Sequence, residues 1–107
     1  MNINTAIAHI AHYKENYEIS KGFALNWERL GRKSAEVLVN VIKTPVLFKS
    51  YNTIVGVIED GTFYELGKYS TTTSKQVTQF CRAYGLDRVI LERPENPADN
   101  TWYSVKY

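Results

Sequence analysis

The chain has one cysteine, one methionine and three prolines in 107 residues, and each scarcity excludes something. A lone Cys81 closes no internal disulfide, so nothing in the fold calls for an oxidising compartment. Glycine is also sparse, and Gly56, Gly61 and Gly67 form no recognised phosphate-cradling spacing. Only two histidines are present, His9 and His12; their spacing places both on one helix face, but no third metal ligand is evident. An excess of one charge is missing as well. Thirteen basic against eleven acidic residues leave +2, which argues against an acidic nucleic-acid mimic and gives no support to a strongly basic binder. No run nears the roughly 18 apolar residues of a membrane span, and MNINTAIAHIAHYKENYE lacks a cationic leader before an apolar stretch. The expectation is a cytoplasmic protein with no membrane partner and no cofactor.

What is present is ordinary in bulk and unusual in one respect. Hydrophobic residues at 44% and charged residues at 22% fit a globular chain. Aromatic residues reach 13%, with eight tyrosines, more than a small core needs. Either some tyrosines anchor a recognition surface or the chain is simply rich in strands, where tyrosine is favoured. The length suits a single domain over 1–107, divided into a helical N-terminal part over 1–33 and a sheet–helix core over 35–107.

The N-terminal segment reads as a helix capped by Asn4 or Thr5, with Ile3, Ile7, Ile10 and Tyr17 at helical spacing. In FALNWERLG, Phe23, Trp27 and Leu30 again suit a short helical face closed by Gly31. Arg29, Arg32 and Lys33 then form the densest basic cluster; beside Trp27 it is either a phosphate-contacting, base-stacking patch or a solvated turn. The period changes at Ala35, where Val37, Val39 and Val41 alternate with other residues as in a strand. Thr44-Pro45 interrupts it, Val46-Leu47-Phe48 opens a second strand, and Ile54 to Ile58 makes a third after turn-forming Ser50 to Thr53. Gly56 leaves a gap in that strand's side-chain row, the mark of a bulge or a close backbone approach. Asp60-Gly61 between two apolar runs predicts a tight hairpin back into Phe63-Tyr64-Glu65-Leu66.

Five hydroxyl residues follow, Ser70 to Ser74. Thr73 with Gln76 matches a capping box, which starts a helix over about 74–84. Its apolar stripe is Val77, Phe80, Cys81 and Tyr84, and Gly85 ends it. Cys81 lies on the stripe and reads as buried. Val89-Ile90-Leu91 is a further strand, and Trp102, Tyr103 and Val105 suggest a closing one. The fold class is therefore α+β: an N-terminal helix and a mainly antiparallel sheet of about 4–5 strands with one helix packed on it.

No catalytic constellation emerges, because the carboxylates fall in turns and loops and no histidine lies near the hydroxyls. The strongest chemical feature is the start of the second helix. Its free backbone N–H groups and dipole favour an anion there, with Thr71, Thr72 and Lys75 beside them, although capping alone explains one or two of the hydroxyls.

The stretch Lys49-Ser50-Tyr51-Asn52-Thr53 together with Lys68-Tyr69-Ser70-Thr71-Thr72-Thr73-Ser74-Lys75 resembles an uncharacterised domain of small phage and mobile-element proteins. Its pattern runs as SYNT, an apolar strand and a hairpin, then YSxTTSK and a helix, and it covers about the middle half of this chain. The family often carries His where this chain has Gln76, which puts any role of that histidine in doubt here. The resemblance implies a phage or plasmid origin, the cytoplasm of a bacterial host, and a non-enzymatic protein docking on a host protein or nucleoprotein, such as a defence nuclease of the CRISPR kind. Candidate partner contacts are Tyr51, Asn52, Tyr69, Thr71, Thr72 and Lys75. The alternative is a direct nucleic-acid binder using Trp27, Arg29, Arg32 and Lys33.

Overall fold

Short turns between successive apolar runs leave each strand next to its predecessor, and most of the sheet follows that rule. The computed structural model describes residues 1–31, 35–51, 53–67 and 70–91. Strands β1 (Leu25–Arg29), β2 (Ala35–Asn40), β3 (Pro45–Ser50), β4 (Thr53–Glu59), β5 (Thr62–Glu65) and β6 (Asp87–Ile90) form one sheet in the order β1-β2-β3-β4-β5-β6. The first five pair antiparallel; β6 runs parallel to β5, because helix α2 (Thr71–Tyr84) carries the chain back along the sheet. Helix α1 (Ile3–Ser20) precedes them all. The α+β class and mainly antiparallel sheet match the sequence reading, with six strands among the described residues in place of about four or five.

The extra strand corrects the reading of residues 23–30 as a short helical face. Leu25–Arg29 pairs with β2, setting Trp27 opposite Leu38, while Phe23 stays 91% exposed. An eight-residue helical stripe is too short to stand alone, whereas β2 offers a full row of backbone partners. A second correction concerns Val41. Asn40 ends β2 by accepting the N–H groups of Ile42 and Thr44 on its side-chain oxygen, so Val41 lies in the β2–β3 turn instead of on the strand.

Both helices start earlier than expected. Asn2 caps α1, its Oδ1 accepting the Thr5 N–H at 2.8 Å. Ser70 caps α2, accepting the Thr73 N–H, so Thr73 and Gln76 sit inside the helix instead of forming its capping box. The reason lies in the sheet: Thr73 and Gln76 are buried, and Ser50 Oγ at the end of β3 donates to Gln76 Oε1 at 2.9 Å and lies 3.4 Å from Thr73 Oγ1. Gly85, with φ 65°, closes α2 where the sequence placed its end.

The helices cover opposite faces of the sheet. Ile3, Ala6 and Ile10 of α1 pack with Leu25, Leu38, Leu47, Ile54, Val57 and Leu66. Val77, Phe80 and Cys81 of α2 pack with Val37, Val39, Phe48, Val55, Ile58 and Phe63. Strand β4 changes phase between these faces. The register with β3 skips a residue, Phe48 facing Gly56 and Lys49 facing Ile54, so Val55 is the extra residue of a bulge. A Cβ on Gly56 would stand 2.4 Å from Cε1 of Phe63 and 2.5 Å from its Cζ. The missing side chain is where the Phe63 ring lies, and the bulge falls at the residue before it, Val55. We expect Gly56→Ala to cost about 1–3 kcal/mol in urea unfolding through overpacking of the Phe63 ring; a change under about 0.5 would show that the ring moves aside freely.

One polar cluster is folded into the α2 side. Glu65 is only 3% exposed, and its Oε1 accepts from Arg88 Nη2 at 2.6 Å and Nε at 3.1 Å. Arg88 also donates to Thr78 Oγ1 at 2.8 Å and Ser74 Oγ at 3.2 Å. One guanidinium thus ties β5, β6 and α2 together around the parallel crossover. Cys81 is buried beside it. Burial pushes its thiol above the usual range, Arg88 opposes this and Glu65 adds to it. The segments 92–107, with the expected polar loop and closing strand, lie outside the described residues.

Candidate functional surface

Of the partner contacts singled out by sequence, Tyr51, Thr71, Thr72 and Lys75 fall at one end of the sheet. Ser50, bonded to Thr73 and Gln76, holds the β3–β4 turn under the first turn of α2. That brings Tyr51 to the same end as Thr71, Thr72 and Lys75, all of them exposed. Tyr51 has φ 53°, the left-handed region that a bulky residue adopts only when its surroundings impose it. Asn52 and Tyr69 lie outside the described residues. The hydroxyl run is mostly spent on structure: Ser70 caps, Thr73 meets Ser50, and Ser74 accepts from Arg88. Of the exposed hydroxyls at the helix start, Ser70 is taken up by the cap and Thr71 and Thr72 remain, so that run does not assemble the ring of hydroxyls an anion site would use.

The aromatic and basic patch is divided. Trp27 is half-buried on the α1 side of the sheet, and Lys49 Nζ lies 4.1 Å from the centre of its ring. Lys49 itself is buried and stands 3.8 Å from Glu36 Oε1. Arg29 is exposed, and Arg32 and Lys33 lie outside the described residues. His9 and His12 each set an edge toward Tyr13, and His12 also pairs with Asn16. Among the described residues no three His, Cys, Asp or Glu side chains gather as metal ligands, and no helix is long and apolar enough to cross a membrane.

The opposite end of the sheet carries what the sequence reading missed. Here meet the end of α1, the β2–β3 and β4–β5 turns, and the end of α2. Phe23 is 91% exposed, Ile42 77%, and Val41 and Ile19 72% each. Phe23 and Val41 line one shallow depression, floored in part by Val39 and Asn40. Large apolar side chains so far exposed, two of them sharing one depression, mark an interaction surface more often than an idle one. Nothing in the local pattern signalled this, because Phe23 and Val41 both matched apolar faces that the fold does not build.

The same end has a second hollow of about 370 Å³, between the two helical layers. Tyr13 of α1 and Tyr84 of α2 line it, with Pro45, Val46, Ile58 and Leu86 beneath and Glu59 and Asp60 at the hairpin. Burial pushes the Tyr13 hydroxyl above its ordinary range, and the Glu59 carboxylate adds to that. Tyr84 is braced by Phe80, with ring centres 4.7 Å apart.

With this geometry in place, comparison with known families gives one result. The family DUF8033 matches residues 5–95. The chain belongs to this family of unknown function. The matched span runs from the first turn of α1 past the end of β6, so it takes in all or nearly all of each described element. Neither the curated proteins nor the solved structures give a significant match.

Proposed function

We propose that this protein is a small, non-enzymatic docking protein that binds a host protein or nucleoprotein. In the phage or mobile-element setting that the SYNT and YSxTTSK resemblance implies, the bound target is a defence nuclease, which it inhibits. The observation that carries the docking reading is the exposed apolar end formed by Ile19, Phe23, Val41 and Ile42. Exposed aromatic and branched side chains on short turns lose little entropy on being covered, which suits them as anchors. Tyr51, Thr71, Thr72 and Lys75 at the other end would add a polar second contact, with Lys75 steering approach. For the nucleic-acid alternative, Trp27 supplies little, since one face of its ring is already covered by Lys49.

The test is capture from bacterial lysate with and without nuclease treatment, comparing the native chain with Phe23→Glu and Ile42→Glu. The reading expects one specific protein retained by the native chain, lost with either variant, and inhibited in its own activity when bound. Both substituted side chains are exposed, so circular dichroism should stay unchanged. Recovery of nucleic acid alone, released at high salt, would transfer the case to the alternative, because counterion release makes such binding fall steeply with ionic strength.

A further inference from the structure

We infer that the hollow between Tyr13 and Tyr84 is a binding site for an arginine side chain presented by a partner protein. The inference rests on the docking reading for the partner, and on the hollow itself for the chemistry. Its base, Pro45, Val46, Ile58 and Leu86, is apolar and suits the methylene stem of a long side chain. Two tyrosines from different helices line it, and aromatic faces attract a cation that has left water. At the hairpin stand Glu59 and Asp60, and Asp87 joins them, its N–H donating to Gly61 O at 3.0 Å. None of the described residues lining the hollow is basic. The nearby cation in the adjoining turn, Lys43, is committed elsewhere, with Nζ 2.7 Å from Glu28 Oε2. In a chain of net charge +2, apolar, aromatic and acidic side chains thus line one hollow.

Arginine fits this arrangement better than lysine. Its planar guanidinium stacks on aromatic rings, presents a fork to carboxylates, and sheds water more readily than an ammonium group. The slot also adjoins the exposed apolar end, since Thr44 lines it and Val41 and Ile42 lie in the same turn. A partner segment with an apolar residue close to an arginine would engage both.

The experiment is a titration of the full chain with Nα-acetyl-arginine amide, followed by amide NMR. Saturable shifts are expected at Asp60, Gly61, Tyr84 and Leu86, with an affinity in the millimolar range for so small a probe. The double variant Glu59→Gln, Asp60→Asn should weaken binding by about fivefold or more, as expected for loss of exposed charge partners. Asn tolerates the left-handed backbone at position 60, where φ is 49°, so the hairpin should persist and the rest of the spectrum should stay in place. Nα-acetyl-citrulline amide, the neutral isostere, should bind much more weakly. The inference is overturned if no saturable shift appears up to about 50 mM probe, if citrulline binds as well as arginine, or if the double variant binds unchanged. Such a failure would leave the docking reading standing, because host capture sensitive to Phe23→Glu does not depend on this probe. Conversely, arginine binding without any captured protein would leave the site in place and remove the host-docking reading.

Discussion

Removing either partner of the Glu65–Arg88 pair is expected to cost about 3–5 kcal/mol, a large share of the 5–15 available to a domain of this kind. Arg88→Ala would leave the Glu65 carboxylate, whose side chain is 4% exposed, with neither donor now bonded to its Oε1. Glu65→Ala would instead leave a guanidinium facing Thr78 and Ser74 with no anion beside it. The double change Glu65→Leu, Arg88→Met is the sharper measurement. A buried ion pair gains about as much from mutual attraction as it loses by leaving water, so replacing both members with apolar side chains should cost less than either single loss. Urea unfolding of the two single variants and the double variant, arranged as a cycle, reads this directly. Singles losing under about 1 kcal/mol would mean that the pair behaves as an ordinary surface bridge and does not hold the crossover.

Phe80→Ala is expected to cost a similar amount, about 3–5 kcal/mol, through lost burial and the cavity left behind. Phe80 is 4% exposed and touches three rings, with centres 5.1 Å from Phe48, 6.0 Å from Phe63 and 4.7 Å from Tyr84. Truncation would therefore loosen α2 from the sheet and also release Tyr84 toward solvent. At about 4–8 °C per kcal/mol for a domain of this size, the melting temperature should fall by roughly 15 °C or more. Phe80→Leu keeps most of the volume and should lose much less. A fall of only a few degrees for the alanine variant would mean that α2 carries little of the core.

Much of this fold was legible because its signals are local. The stripe Val77, Phe80, Cys81 and Tyr84 repeats at the helical period, and three of its four members are buried; Tyr84, the last residue of α2, braces Phe80 from outside. Asp60-Gly61 turns as read, with φ values of 49° and 78°, since those two residue types accept positive φ at low cost. Gly56 was readable as a gap, though the ring that fills the gap belongs to the next strand. The errors came where two local patterns competed. Phe23, Trp27 and Leu30 satisfy a helical stripe, yet Trp27 also satisfies a strand, and the free edge of β2 settled the matter. Thr73 and Gln76 satisfy a capping box, yet both were needed against Ser50, twenty-three and twenty-six residues earlier in the chain.

By itself, then, the sequence determined the α+β class, the two helices, the hairpin and the buried cysteine, all set by the repeat of apolar residues and by backbone preferences within a few positions. Tertiary structure alone decided which turns meet at which end of the sheet. It placed Tyr51 with Thr71 and Thr72 at one end, and gathered Phe23, Val41, Ile42, Tyr13, Tyr84, Glu59 and Asp60 at the other. The physical reason is register. A one-residue bulge in β3 and another in β4 shift which side chains face each helix and which are left at the ends, and such a shift depends on the partner strand instead of the residue itself.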